Sequence, residues 1–186
     1  WRPLLEAAGA LARDLDVLVQ THVSENVHEG EATLAAHPIA SDYLGVYEAV
    51  GLVGPKTVFA HAIHFSEAEW DRVAASGARI AHCPDSNFFL GSGVMKLAEA
   101  RRRGVPVALG SDVAAGRSFD LRRAIACDHD AAILAGEPVE DEVLFELATL
   151  GGAKVLGVAG VTGSLELGKE ADFLVLDRPG YLRGRE

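Results

Sequence analysis

An α/β protein of parallel β/α units is the fold class this sequence predicts, and three observations predict it. Four runs read as short buried strands: residues 16–22 (DVLVQTH), 57–61 (TVFAH), 79–82 (RIAH) and 107–112 (VALGSD). A helical stretch follows each, so strand plus helix recurs roughly every 25–45 residues, the size of a β/α unit in a closed barrel or an open sheet. Each run also ends in a residue able to bind a metal or move a proton: His22, His61, His82 and Asp112. The C-terminal ends of neighbouring parallel strands converge on one rim, so these side chains are expected to gather there.

The elements follow in order. Residues 4–13 (LLEAAGALAR) are amphipathic and read as the helix before the first strand. After His22, residues 24–37 form a helix with acidic residues in its first turn and His37-Pro38 as its stop. Residues 43–50 (YLGVYEAV) form a short second helix ended near Gly51. Ser66 with Glu69 three places on is a capping box before Trp70 and Val73, and Gly77 closes that helix. Residues 95–103 form the next crossover helix, with Gly104 as its stop and Pro106 opening the fourth strand. Residues 121–134 and 142–150 are two further helices. The tail changes character: Gly163 and Gly168 mark turns, and residues 173–176 (FLVL) read as a buried strand of a separate small β element.

Composition narrows the partners. At 186 residues and 49% apolar content the chain can bury a sizeable core. Its net charge of −10, from 17 basic against 27 acidic residues, argues against sequence-independent nucleic-acid binding, which needs a basic patch. A small neutral or polar partner fits better. Arg101, Arg102 and Arg103 sit late in a helix, where cations complement the dipole. Two cysteines, Cys83 and Cys127, are too few for a disulfide framework, which points to a reducing cytoplasm. No apolar run approaches a membrane span. The chain opens at Trp1 in a helical pattern, without an initiator Met, as expected of a piece of a longer polypeptide.

The polar residues at the strand ends carry the chemistry. His22 ends a strand and Glu25 opens the next helix, so both can face one cavity; the imidazole suits zinc and the carboxylate can shuttle protons. A core histidine and a dipole-favoured helix-start glutamate are the plainer alternative. His61 occupies a strand end, whereas His64 falls in the following turn and reads as a rim residue. His82 can line the cavity, and its neighbour Cys83, pointing to the opposite face, reads as a small buried residue. Asp112 ends an apolar strand, where an ionised carboxylate needs a partner or a metal; capping the next segment is its structural alternative. The glycines at 91, 93, 110 and 116 match no phosphate-binding loop, and no GxSxG elbow is present. Two histidines and an aspartate with an open position for water predict metal-assisted hydrolysis at a carbon bearing an amine or amide.

Four segments carry a resemblance: QTHVSEN from Gln20, the VFAH strand ending at His61, AHCPDSNFFLGSG from Ala81, and LGSDVAAGRSF from Leu109. In this order and spacing they resemble the metal-dependent amidohydrolase superfamily, and within it they look most like the guanine deaminases. GSLELGKEADFLVLD, from Gly163, is similar to the superfamily's C-terminal segment. The resemblance covers nearly the whole chain, from about His22 to Asp177. It implies the C-terminal half of a (β/α)8 TIM-type barrel in residues 1–158, and in residues 159–186 a segment returning to a small accessory β-sandwich.

It also implies roles. His22 and Asp112 match metal ligands, with Asp112 also taking a proton from the attacking water. Glu25 matches the residue that protonates the purine ring nitrogen. His61 matches a histidine that orients water or substrate and is a ligand in some members, so both roles stay open. The implied cofactor is zinc, with iron as the alternative, the partner a small-molecule purine, and the full-length assembly a homodimer. The family's His-x-His pair and an Arg-Phe purine contact are absent from this chain, so a C-terminal fragment with little activity of its own is expected. Rival readings are a relative acting on another aminopurine, an adenosine-type thioether or a triazine, and a non-catalytic homologue. GSDVAAGRSF, where the thioether and triazine branch typically reads GTDG-x-ASNN, favours the guanine branch.

Overall fold

The computed structural model describes residues 2–177. Helix α1 (Arg2–Leu15) precedes β1 (Val19–Val23), and α2 (Val27–Ala36) and α3 (Tyr43–Glu48) lead to β2 (Thr57–His61). Next come α4 (Glu67–Ser76), β3 (Arg79–His82), α5 (Pro84–Leu90), α6 (Leu97–Arg102) and β4 (Val107–Leu109). Helices α7 (Leu121–Leu134), α8 (Asp141–Ala148) and α9 (Leu150–Leu156) follow. The strands form one parallel sheet in the order β1-β2-β3-β4, with His22 opposite Ala60, Ala60 opposite Ala81, and His82 opposite Leu109. Parallel neighbours in sequence order need a crossover each, which the helices supply.

The predicted boundaries hold to within a few residues except at the ends of two strands. β1 begins at Val19 because α1 runs on to Leu15 and Asp16 adopts a left-handed backbone, φ 51°. β4 stops at Leu109, so Asp112 stands on a loop three residues beyond the ladder. Two helices escaped prediction. α5 has Pro84 at its start and Gly91 in the left-handed conformation, φ 69°, at its end, a Pro-before, Gly-after punctuation readable in the sequence. α9 carries two glycines, which lower its helical signal. The capping box at Ser66 and Glu69 forms as expected, with both reciprocal bonds present.

The core lies between the sheet and its helices, where Phe59 and Ile80 of the strands meet Leu44, Trp70, Val73, Met95 and Leu147, all 8% exposed or less. One expectation fails. Residues 173–176 form no strand, and Phe173, Leu174, Val175 and Leu176 are 67%, 81%, 87% and 54% exposed. An apolar β-prone run becomes a strand only where a partner edge pairs with it, and among the described residues none does. Residues 178–186 of the same predicted segment lie outside the described residues. Among the described residues no helix is long and apolar enough to cross a membrane.

Candidate metal and proton-transfer site

The site is built where β1 and β2 end and the chain turns. Ser24, His61 and Asp112 all have left-handed backbones, φ 47°, 73° and 47°. Such a conformation costs a residue other than glycine about 1 kcal/mol or more, so packing holds these turns against their local preference. The β1–β2 pairing is prolonged into the turn by Ala62 N–H to Val23 O and His64 N–H to Ser24 O, at 3.0 and 3.1 Å. Helices α2 and α3 secure the β1 end. The Tyr47 hydroxyl donates to the His22 carbonyl at 3.0 Å, and Glu25 N–H donates to Glu29 Oε2 at 3.0 Å. Glu29 in turn accepts from the Tyr43 hydroxyl at 2.8 Å.

His22, Glu25 and His61 each place a ligating atom within 4.8 Å of the others. The imidazoles of His22 and His61 meet edge to face, centroids 5.0 Å apart. His61 is fully buried, and its Nε2 lies 3.7 Å from Glu25 Oε2 and 3.9 Å from Asp112 Oδ2. Both distances exceed hydrogen-bond range, so this buried nitrogen has no partner. Its Nδ1 is engaged by Asn87 Oδ1 at 2.9 Å. The Ser92 hydroxyl donates to Glu25 Oε1 at 3.1 Å, leaving Oε2 toward His61. Asp112 thus joins the cluster through His61, with its side chain 20% exposed and that of Glu25 15%.

The loop that carries Asp112 is tied down from two directions. Gly116 N–H donates to Asp112 O at 2.6 Å, and a Cβ at position 116 would stand 1.7 Å from the Ser111 carbonyl oxygen, so only glycine fits. Buried Asp85 of α5 accepts from Arg117 N–H at 2.7 Å, from Arg117 Nη2 at 2.5 Å and from Arg123 Nε at 2.8 Å. Burial pushes the Asp85 pKa up, but these donors outweigh it and hold the carboxyl well below the ordinary range. The clamp therefore contributes stability above the carboxyl's unfolded pKa and loses it as pH falls toward the folded one.

The third strand corrects an expectation. His82 does not join the other histidines: it is 1% exposed, and its Nε2 lies 3.1 Å from Oδ1 of Asp128 on α7, also 1% exposed. Alternation along β3 puts His82 on the face of Ile80, toward the helices, and Cys83 on the other. Cys83 is buried as expected, and burial together with the Asp112 and Glu25 charges pushes its thiol up to about 12. His64, read as a rim residue, is exposed and engages the Ser92 carbonyl through Nε2 at 2.9 Å. The two side chains are close without forming a hydrogen bond, and removing Asp128 leaves buried His82 with no polar neighbour there, so Asp128→Ala is expected to destabilise the chain by about 1–3 kcal/mol. Urea unfolding checks this, and an unchanged midpoint and slope would show that the contact adds nothing to stability.

The amidohydrolase family profile matches residues 2–183. The chain belongs to the amidohydrolase family. Guanine deaminase of Escherichia coli (strain K12) is 40% identical over 162 residues, covering 87% of this chain and 37% of that protein. The guanine deaminase of C. acetobutylicum, solved with guanine in its active site, superposes with TM-score 0.84 at 33% identity over 90% of this chain and 41% of that one. An adenosine deaminase of Xanthomonas campestris with bound zinc gives TM-score 0.86 at 30% identity over 92% of this chain and 40% of that one. The chain thus spans about two fifths of the length of the relatives it matches.

The residues present suit a divalent metal. His22, Glu25 and the unpartnered, buried Nε2 of His61 cluster within 4.8 Å, with Asp112 Oδ2 3.9 Å from that nitrogen, and together they form a nitrogen and oxygen donor set of the kind zinc and iron accept. Neither Asn87 nor Ser92 was assigned a role from the sequence. No spacing rule marks a residue that acts by hydrogen-bonding another side chain.

Proposed function

We propose that this chain carries one part of a hydrolytic guanine deaminase, which converts guanine and water to xanthine and ammonia. The observation that carries the reading is the fully buried His61 Nε2 facing two carboxylates, with His22 in ligand reach. The similarity to guanine deaminases supports the substrate. His22 and Asp112 would hold a zinc ion, which lowers the pKa of water toward neutrality and polarises it for attack. Asp112 takes a proton from the attacking water. Glu25 places a proton on the purine ring nitrogen and then carries one to the departing amine, so that a C–O bond forms, the C–N bond breaks and ammonia leaves. His61, held rigidly by burial, orients the water or the substrate.

The same reading places the four strands in one half of a (β/α)8 barrel over residues 1–158, with residues 159–186 leading to a small β domain. The sheet order β1-β2-β3-β4 supports this, since β1 and β4 each keep one edge without a partner among the described residues. Unpaired parallel edges are ordinarily covered. The remaining metal ligands and purine contacts come from outside this chain.

Ammonia release from guanine tests the function, measured with and without a chelator on a polypeptide that supplies the rest of the relatives' length. Chelator-sensitive release is the expected result. A folded, metal-loaded protein that releases none from guanine but acts on an adenine-type purine or a triazine would replace the substrate. The likeness to the zinc-bound adenosine deaminase makes aminopurines the first alternatives to assay.

A further inference from the structure

The short helix α5 supplies no group to the cluster, yet it carries a side chain that decides how His61 can act. Asn87 is 1% exposed, and its Oδ1 stands 2.9 Å from His61 Nδ1. A carbonyl oxygen can only accept, so the imidazole nitrogen facing it must carry the proton. With Nδ1–H taken up by Asn87, Nε2 is the ring atom left for the site, and it faces Glu25 and Asp112. Those oxygens stand at 3.7 and 3.9 Å, beyond direct hydrogen-bond range, so Nε2 meets them through whatever is set between them, a cation or a water.

We propose that Asn87 is the positioning residue that keeps a proton on Nδ1 of His61 and holds the ring, so that His61 acts at the site through Nε2. The proposal deepens the hydrolase reading above and rests on it for its kinetic consequence alone. α5 is anchored for this task. Ser92, just past its end, donates its N–H to the Asn87 carbonyl at 2.9 Å, while its carbonyl accepts from His64 at 2.9 Å. Gly93 makes the next turn at φ 130°, with a Cβ there only 3.0 Å from Ile63 Cγ2. At the other end Asp85 grips Arg117 and Arg123. Asn87 Nδ2 is buried without a partner. Rotating the amide would aim that donor at Nδ1 and force the ring proton onto Nε2, the opposite outcome, so the two arrangements are experimentally distinct.

Long-range proton–nitrogen NMR on the metal-free chain with 15N-labelled histidine reads the tautomer directly, His61 being assigned by the signal lost in His61→Gln. The expected result is a proton on Nδ1 of His61 in the parent chain and in Asn87→Asp, which keeps an acceptor in place. Asn87→Leu is expected to lose that preference. A His61 protonated at Nε2 alone in the parent overturns the proposal, and so does an unchanged Nδ1 proton in a folded Asn87→Leu. If that variant fails to fold, the parent and Asn87→Asp spectra still decide. In the full-length enzyme, Asn87→Leu is expected to lower kcat about 10–100-fold with KM little changed, and Asn87→Asp to recover most of it. An inactive parent whose His61 is protonated at Nδ1 would leave this proposal standing and remove the guanine reading instead.

Discussion

Glu25→Gln, in a polypeptide that supplies the rest of the relatives' length and on the proposed deaminase reading, is expected to lower kcat for guanine by about 10²–10⁴-fold, the range for removing a general acid–base, while bound metal stays near the parent level. The amide keeps the shape of the carboxylate and still offers an oxygen to the Ser92 hydroxyl, which holds Glu25 Oε1 at 3.1 Å. What it loses is the ability to take up and release a proton at Oε2, the atom that faces His61. Glu25 also lies among the three residues whose ligating atoms cluster within 4.8 Å, so metal content must be measured beside the rate. Retained turnover would remove Glu25 from the proton relay. Loss of metal and turnover together would move it into the ligand set.

Asp112→Ala in the same protein is expected to lower bound metal and rate together, each by more than about 100-fold, beyond the usual effect of an outer-shell change. The loop should survive the substitution, because its anchors lie elsewhere: Gly116 closes on the Asp112 backbone carbonyl, and Arg117 is clamped by Asp85. The change therefore removes a carboxylate from a standing frame. Metal analysis after dialysis and ammonia release are the paired measurements. Unchanged metal content would sink the ligand assignment and leave Asp112 with a proton-transfer role alone.

Much of the site was legible because parallel β/α units impose a simple rule: what ends a strand faces the rim. That rule brings His22 and His61 together, and the helix-start position adds Glu25, whereas Asp112 reaches His61 from a loop three residues past β4. It misplaced His82, because a strand end has two faces and β3 turns this side chain toward α7. There it meets Asp128, 46 positions further along the chain. It also misread residues 173–176, whose β-prone composition needs a pairing edge that no described residue provides.

Local chemistry accounts for the strands, the capping box at Ser66 and Glu69, the glycine stops and the order of acid, base and ligand candidates, because each depends on residues a few positions apart. Contacts across long separations account for the rest. Asn87 reaches His61 over 26 positions, Ser92 reaches Glu25 over 67, and Asp85 reaches Arg117 over 32. Those contacts set which nitrogen of His61 is free, which oxygen of Glu25 is exposed to it, and where Asp112 stands. A hydrogen bond between distant side chains leaves no periodicity in the sequence, so only the folded chain reveals the atoms with which these residues act.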